Sequence, residues 1–412
     1  MKIAVFSRST IEHFKSGGME TQLKILVEGL AESGHEVEVI TTANPSSLEK
    51  DQYKEVNNVG YHYIGSTTPG LNPLTLWEKI FSLLRLLNRG NFSEGSKNYF
   101  IESLRIFNEI NQKKTFDLII SQSTGALGVY ENTKLPIISV IHGSIKSEIK
   151  NRLKANKNIK NWIRFLGIDL PKWYFELYTS NKKFFNHVNK IVAVSNKLKQ
   201  NFLIDHPNLG SKVEVIYNGV DSDVFSLGTE KLPDFTLLYI GRMDREKGVD
   251  LILQIVNELR KKNINVKANL IGTGVHLEEF KNLASSLKIN ENVIFLGQIP
   301  NADLPKYYRE SHIFLFPTRR EEGHPMTLSE AFCSGLPVIA SDIGGLSESI
   351  ENGKNGFLVK VGDVKEFVKL IEMLYQNPNK LKAMSFAARE KGLQDFSKSS
   401  MIQKYVKLIK DL

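Results

Sequence analysis

The chain has 412 residues, a length that at about 100–200 residues per domain predicts two or three domains. With 41% hydrophobic and 24% charged residues it reads as a folded globular protein, which excludes a disulfide scaffold, a peptide-sized module and global disorder. Its 54 basic and 45 acidic residues leave a net charge of +9, pointing to anionic partners, and its single cysteine, Cys333, has no internal partner and suits a reducing compartment.

Along the chain, the first apolar run stops at Ser7-Arg8, short of the roughly 7–15 residues of a signal-peptide core. No run approaches the roughly 20 apolar residues that cross a bilayer, so the protein is expected to work in solution or on a surface, and its lone cysteine makes the cytoplasm the expected location. Lys2 to Ser7 reads as a strand and Ser16-Gly17-Gly18 as a loop. Met19 to Ser33 reads as a helix, because Leu23, Leu26, Val27 and Leu30 share one face. Gly34 ends that helix, and Glu36 to Thr41 alternates as the next strand. Strand, helix, strand is the opening of a parallel α/β sheet. Further strands are expected at Asp117 to Ser121, Ile137 to Ile141, Ile191 to Val194 and Val213 to Ile216. Helices are expected around Leu74 to Leu87, Phe100 to Ile110 and Asn161 to Phe185.

After the loop from Asn218 to Asp234 the alternation restarts. Strands are expected at Phe235 to Ile240, Val266 to Ile271, Val293 to Leu296, Ile313 to Phe316 and Pro337 to Ala340. Helices fall between them at Gly248 to Lys261, His276 to Leu287, Asp303 to Arg309 and Pro325 to Ser334, with several more from Asp363 onward. The expected fold is therefore α/β, with two doubly wound Rossmann-like domains facing across a cleft. The expected divisions are 1–228, 229–395 and a terminal helix over 396–412 packing back on the first domain.

The segment from Glu321 to Ser341 is the most informative. Pro325 suits the first position of a helix, where its missing N–H would be unpaired anyway. The backbone N–H groups of Met326 and Thr327 then lack intrahelical acceptors and lie at the positive end of the helix dipole, a cradle for phosphate. Gly323 admits a ligand to the backbone, and Glu322 and Glu330 bracket the helix start. Carboxylates there can accept paired hydrogen bonds from a sugar or ribose diol. Equally, they can simply favour a helix N-terminal region. Gly241-Arg242 and Glu246-Lys247-Gly248 stand at a strand-to-helix crest, where Arg242 as a fork and Lys247 as a point charge can reach a diphosphate. The alternative is a solvated loop with a surface ion pair. Gly17-Gly18-Met19-Glu20 holds the equivalent crest of the first half, as a phosphate or sugar loop or as a plain turn.

Together these blocks resemble the family 4 retaining glycosyltransferases of the GT-B fold. Asn218-Gly219-Val220-Asp221, the run from Glu322 to Ala331, and Gly335-Leu336-Pro337-Val338-Ile339-Ala340-Ser341 followed by Gly344-Gly345 complete the likeness, which spans nearly the whole chain. The resemblance implies a nucleotide-sugar donor, with Arg242 and Lys247 on its diphosphate, Glu330 on the ribose and Glu322 beside the donor sugar. Met326 and Thr327 match the backbone donors to phosphate. Gly18 matches the first-domain loop that closes on the donor, with Gly17 beside it as a substrate-binding position, and His142 matches a histidine near the donor sugar and acceptor. Two departures are Pro325, where many members have glycine, and His324, where an aromatic or apolar residue is frequent; Gly323 and His324 are carried along as substrate-binding positions.

No cofactor or metal is expected, because fixed cations and helix N–H groups can stabilise a leaving diphosphate. Asp221-Ser222-Asp223 resembles a manganese-binding triplet, yet its place after Asn218-Gly219 favours a turn. Gly272-Thr273-Gly274 lacks the third glycine of a dinucleotide fingerprint, and Cys333 falls on the apolar side of its helix. From Lys146 to Lys190, eleven basic residues face three acidic ones, which leaves +8 beside eight aromatic residues. That mixture suits docking on the anionic inner face of a membrane, near a lipid-linked acceptor. A solvated face over an aromatic core fits the same residues.

The expected activity is transfer of a sugar, from UDP in the first instance, to a hydroxyl of a saccharide or lipid-linked saccharide, with no nucleic-acid partner. A nucleotide-sugar epimerase on the same scaffold, or a non-catalytic basic protein that binds nucleic acid, are the rival readings.

Overall fold

A computed structural model describes residues 1–10, 17–42, 53–64, 94–144, 177–228 and 230–412. The helix expected over Leu74 to Leu87, most of that over Asn161 to Phe185, and the basic aromatic stretch up to residue 176 lie outside these residues. The chain forms two compact units. Met1–Val194, Lys199–Val215 and Val406–Leu412 make the first, and Ser195–Leu198 with Ile216–Tyr405 make the second.

The first unit runs β1 (Lys2–Phe6), α1 (Gly18–Glu32), β2 (Glu36–Thr42), β3 (Tyr53–Val56), β4 (Val59–Ile64), α2 (Glu94–Lys113), β5 (Leu118–Gln122), β6 (Ile137–Ile141), α3 (Lys182–His187), β7 (Lys190–Ala193), α4 (Asn196–Asp205) and β8 (Val213–Val215). The first turn of α4 belongs to the second unit. The sheet order is β3-β4-β2-β1-β5-β6-β7-β8. Every neighbouring pair is parallel except β3 and β4. All five residues of β1 are buried, as are those of β5 and β6. A parallel strand covered on both faces reads as a continuous apolar run, which is why these three were legible. The β3–β4 hairpin was not expected. It turns on Asn57-Asn58, at φ 52° and 61°, the paired positive φ that a two-residue hairpin loop demands.

The second unit runs β9 (Phe235–Ile240), α5 (Val249–Lys261), β10 (Val266–Ile271), α6 (Leu277–Ser286), β11 (Val293–Gly297), α7 (Leu304–Glu310), β12 (Ile313–Phe316), α8 (Met326–Cys333), β13 (Val338–Ser341), α9 (Leu346–Ser349), β14 (Gly356–Val359), α10 (Val364–Tyr375), α11 (Pro378–Asp395) and α12 (Lys398–Lys410), whose last turns belong to the first unit. Its sheet is wholly parallel in the order β11-β10-β9-β12-β13-β14. Val249, Ile252, Leu253, Val256 and Leu259 of α5 form one stripe, buried with Leu237, Ala268 and Leu270 of the sheet. Each such aliphatic side chain contributes about 1.5–3 kcal/mol over leaving it exposed. Both sheets are doubly wound, and strand order reverses between β1 and β5 in the first and between β9 and β12 in the second.

At α8 the structure shifts the expected start by one position. Pro325 is the N-cap, extended at φ −66° and ψ 136°, and the helix begins at Met326. A residue with ψ in the extended range cannot itself be helical, and Pro325 instead lends its carbonyl to Leu328 N–H at 3.1 Å. The far end closes as a Schellman turn, with Leu336 N–H donating to Ala331 and Gly335 N–H to Phe332.

Candidate active site

In doubly wound sheets a ligand binds outside the carboxyl ends of the strands, where their order reverses. In the second unit the loops that leave β9 and β12 at that point are fastened to each other. Arg319 donates to both oxygens of Asp250 at 2.7 Å, and its Nη1 also reaches the Arg245 carbonyl at 2.7 Å. Its backbone N–H donates to the Glu246 carbonyl at 2.8 Å, and Arg320 pairs with the Glu246 side chain at 3.3 Å. Gly248 sits at φ +77°, and a Cβ there would stand 2.0 Å from the Pro317 carbonyl oxygen. Only glycine allows this approach.

The result of that fastening is a pair of opposite charges. Lys247 Nζ lies 2.6 Å from Glu322 Oε1, and the two side chains are only 18% and 17% exposed. The Glu322 carbonyl also accepts from Gly345 N–H at 2.8 Å, so the Gly344-Gly345 turn backs the loop that carries the carboxylate. Arg242 stands on the same β9 loop but is 61% exposed, with its Nη1 2.8 Å from Asp244 Oδ2. An exposed pair of this kind contributes little, so Arg242 can be turned toward an anion at small expense, whereas Lys247 is held. Tyr239 donates its hydroxyl to the Arg242 carbonyl at 2.8 Å and fixes the backbone beneath it. Met326 and Thr327 occupy the first turn of α8, where N–H groups lack helical acceptors.

Glu330 is buried in α8, and its Oε2 accepts a 2.6 Å hydrogen bond from Tyr308 of α7. Desolvation raises its pKa to about 7, against the smaller lowering effect of the tyrosine hydroxyl. His324 is enclosed. Its ring packs against Tyr217 and Phe396, its Nε2 meets Ser329 Oγ at 2.9 Å, and burial lowers its pKa to about 3. Ser329 donates onward to the Asn218 carbonyl at 2.8 Å, and Asn218 Nδ2 donates to the His324 carbonyl at 2.7 Å. The histidine thus ties Asn218-Gly219 to the entrance of α8 as an interior group, and the neighbouring Gly323 belongs to the β12 loop.

In the first unit, Gly17 is the N-cap of α1 and Gly18 its first residue, with Thr21 N–H donating to the Gly17 carbonyl at 3.1 Å. His142 follows β6, and its Nε2 lies 2.6 Å from Gln122 Oε1 at the end of β5. The residue as a whole is half-buried, and the protein packed around its imidazole lowers its pKa to about 4.

The remaining motifs are structural. Asp221 Oδ1 accepts from the N–H groups of Asp223 and Val224 at 2.9 and 3.2 Å, a side-chain-stabilised turn. Gly272 lies at φ +128°, where a Cβ would stand 2.0 Å from the Gly241 carbonyl oxygen, and Met243 N–H donates to the Thr273 carbonyl at 2.9 Å. Gly272-Thr273-Gly274 therefore supports the β9 loop from behind. Cys333 is fully buried, and burial pushes its thiol up to about 12.

Residues 16–224 match the family described as Glycosyltransferase Family 4, and residues 226–391 match Glycosyl transferases group 1. The chain belongs to the family 4 glycosyltransferases. It is 28% identical over 245 residues to the capsular polysaccharide biosynthesis glycosyltransferase CapM of Staphylococcus aureus, an alignment covering 54% of this chain and 62% of that relative. Among solved structures it is similar to the sucrose-phosphate synthase of Thermosynechococcus elongatus, with a TM-score of 0.74 at 17% identity over 100% of this chain and 98% of that one. Anabaena HepE, solved in complex with UDP, follows with a TM-score of 0.71 at 18% identity over 100% of both chains. At these identities the likeness establishes the architecture, two Rossmann-like domains of the GT-B fold.

Three features of this family 4 chain escaped the sequence reading. Tyr308, the partner of Glu330, sits 22 positions away on the expected helix α7, where nothing local marks it as a partner. The Arg319–Asp250 clamp had a visible trace, because Arg319-Arg320-Glu321-Glu322 is a charged run directly beyond an apolar strand. Gln22 and Gln122 carried no signal, since a lone glutamine looks the same on a surface as in a core. Among the described residues no helix is long and apolar enough to cross a membrane.

Proposed function

We propose that this glycosyltransferase moves a sugar from a nucleotide donor, with UDP as the nucleotide, to a hydroxyl of a saccharide or lipid-linked saccharide in surface polysaccharide or glycolipid synthesis. The observation that carries the reading is the Lys247–Glu322 pair, held at 2.6 Å on the two loops of the second unit's switch point. Lys247 offers a positioned charge to a diphosphate, and Glu322 offers acceptor oxygens to sugar hydroxyls beside it. As the bond from the anomeric carbon to the phosphate oxygen breaks, its electron pair stays on phosphate. Lys247, Arg242 and the N–H groups of Met326 and Thr327 take up that charge, so we assign its stabilisation to these groups rather than to a metal ion.

The acceptor hydroxyl oxygen then bonds to the anomeric carbon on the face the phosphate leaves, and its proton passes to the departing phosphate. That route retains configuration. Glu330 is assigned to the ribose, Gly18 to closure on the donor, and His142 to the donor sugar, as the family resemblance implies. The capsular role of CapM and the UDP bound to HepE support the substrate class.

The test is turnover of a panel of UDP- and GDP-sugars, each with and without saccharide acceptors and with EDTA present. Nucleotide release that requires acceptor, survives EDTA and yields a retained linkage is expected. Interconversion of the sugar without acceptor would instead identify an epimerase, and no turnover of any UDP-sugar would overturn the choice of donor.

A further inference from the structure

The crest of the first unit places two buried amides behind His142. Gln22 of α1 and Gln122 at the end of β5 are 1% and 4% exposed, and buried amides of this kind must find partners. Gln122 Nε2 donates to Gln22 Oε1 at 3.3 Å, and Gln122 Oε1 lies 2.6 Å from His142 Nε2. An amide oxygen only accepts, so the ring nitrogen facing it must carry the proton. Desolvation keeps this imidazole neutral at pH 7, with a pKa of about 4, and a neutral ring has one bare nitrogen. That nitrogen is Nδ1, which makes no hydrogen bond among the described residues.

The backbone at this crest is held in a conformation that costs energy. Ser123, next to Gln122, has φ +53°, a sparsely occupied region for a residue with a side chain. Its carbonyl accepts from the hydroxyls of Ser121 and Ser139 at 2.9 and 2.7 Å, and its N–H donates to the Val140 carbonyl at 2.8 Å. Three bonds thus hold the turn that aims Gln122 at His142.

We propose that Gln122 and Gln22 are positioning residues that hold His142 as the Nε2–H tautomer, so that Nδ1 accepts a hydrogen bond from a hydroxyl of the sugar substrate. The tautomer follows from this unit alone; the identity of the hydroxyl-bearing ligand rests on the transfer activity proposed above. A histidine that accepts at Nδ1 selects a ligand with a hydroxyl at that point and disfavours one with only an acceptor there.

The experiment is long-range proton–nitrogen NMR of the uniformly labelled full chain at pH 7. His142 is assigned among the nine histidines as the ring signals lost in His142→Gln. A protonated Nε2 and a bare Nδ1 are expected. A protonated Nδ1 with bare Nε2, which is what both amides turned the other way would produce, overturns the proposal, and so does an imidazolium. Gln122→Glu supplies a carboxylate that draws a second proton to the ring, so both nitrogens become protonated and turnover falls about tenfold, the effect of one misdirected hydrogen bond. Gln22→Leu frees the Gln122 amide to turn, and a mixture of tautomers is expected; an unchanged single tautomer in that variant would remove Gln22 from the proposal. The wild-type spectrum needs no variant to fold and no turnover. Absence of transfer with every nucleotide sugar would sink the function while leaving the tautomer result intact.

Discussion

The crest of the first unit and the crest of the second both lie at the carboxyl ends of strands beside the point where a doubly wound sheet reverses its order, yet they are finished with different chemistry. In the first, two buried amides and a neutral histidine form a chain with no formal charge. In the second, Lys247 faces Glu322, Arg319 clamps Asp250, and Arg242 stands exposed on the β9 loop. A neutral amide–imidazole chain suits hydroxyl groups, whereas a fixed lysine beside an exposed arginine suits phosphate. The doubly wound topology supplies the position and leaves the side chains to choose the ligand.

The largest expected effect separates the two crests outright. Lys247→Ala removes the fixed cation and leaves the Glu322 carboxylate without its partner, so kcat should fall about 10²–10³-fold, as for loss of one preorganised charge-stabilising group. Steady-state kinetics decide it, and a near-normal kcat would move the diphosphate away from this loop.

A second prediction concerns pH and the Glu330–Tyr308 pair. Glu330 holds its proton more tightly in the fold, its pKa raised from the ordinary 4.5 to about 7. The stability it contributes is therefore full below about 4.5 and lost as pH rises through about 7. Donor binding through an ionised Glu330 has the opposite slope, so donor KM should fall as pH rises through the same range. Tyr308→Phe removes the hydroxyl that favours the carboxylate, which shifts that profile to higher pH and destabilises the protein by about 1–3 kcal/mol. A KM profile that ignores the substitution would separate Glu330 from the donor.

The smallest effects compare backbone at the two crests. Gly272→Ala places a Cβ 2.0 Å from the Gly241 carbonyl at φ +128°, and thermal or denaturant unfolding should register a loss of about 1–3 kcal/mol. At Gly143, beside His142, nothing among the described residues lies within 4 Å of a new Cβ, so Gly143→Ala should stay within about 0.5 kcal/mol. Equal losses at both would mean that the first crest is as tightly packed as the second.

The order of the buried strands and the family blocks was written in the sequence. Parallel strands covered on both faces need continuous apolar runs, and the loops at their ends need glycine and charge at set places. Ile3 to Phe6, Ile137 to Ile141 and Phe235 to Ile240 announce themselves for the first reason, and Arg242, Lys247 and Glu322 for the second. The Asn57-Asn58 hairpin was less legible, because its signal is two backbone angles rather than a pattern of side chains. Tertiary structure alone decided the pairings: Lys247 with Glu322 across 75 positions, Tyr308 with Glu330, Gln22 with Gln122 across 100, and His324 turned inward on Ser329. Composition and local spacing report which groups a segment carries. Hydrogen bonds between distant segments depend on where the sheets bring their loops, and only there does a glutamine become a positioning group or a glutamate acquire a pKa of about 7.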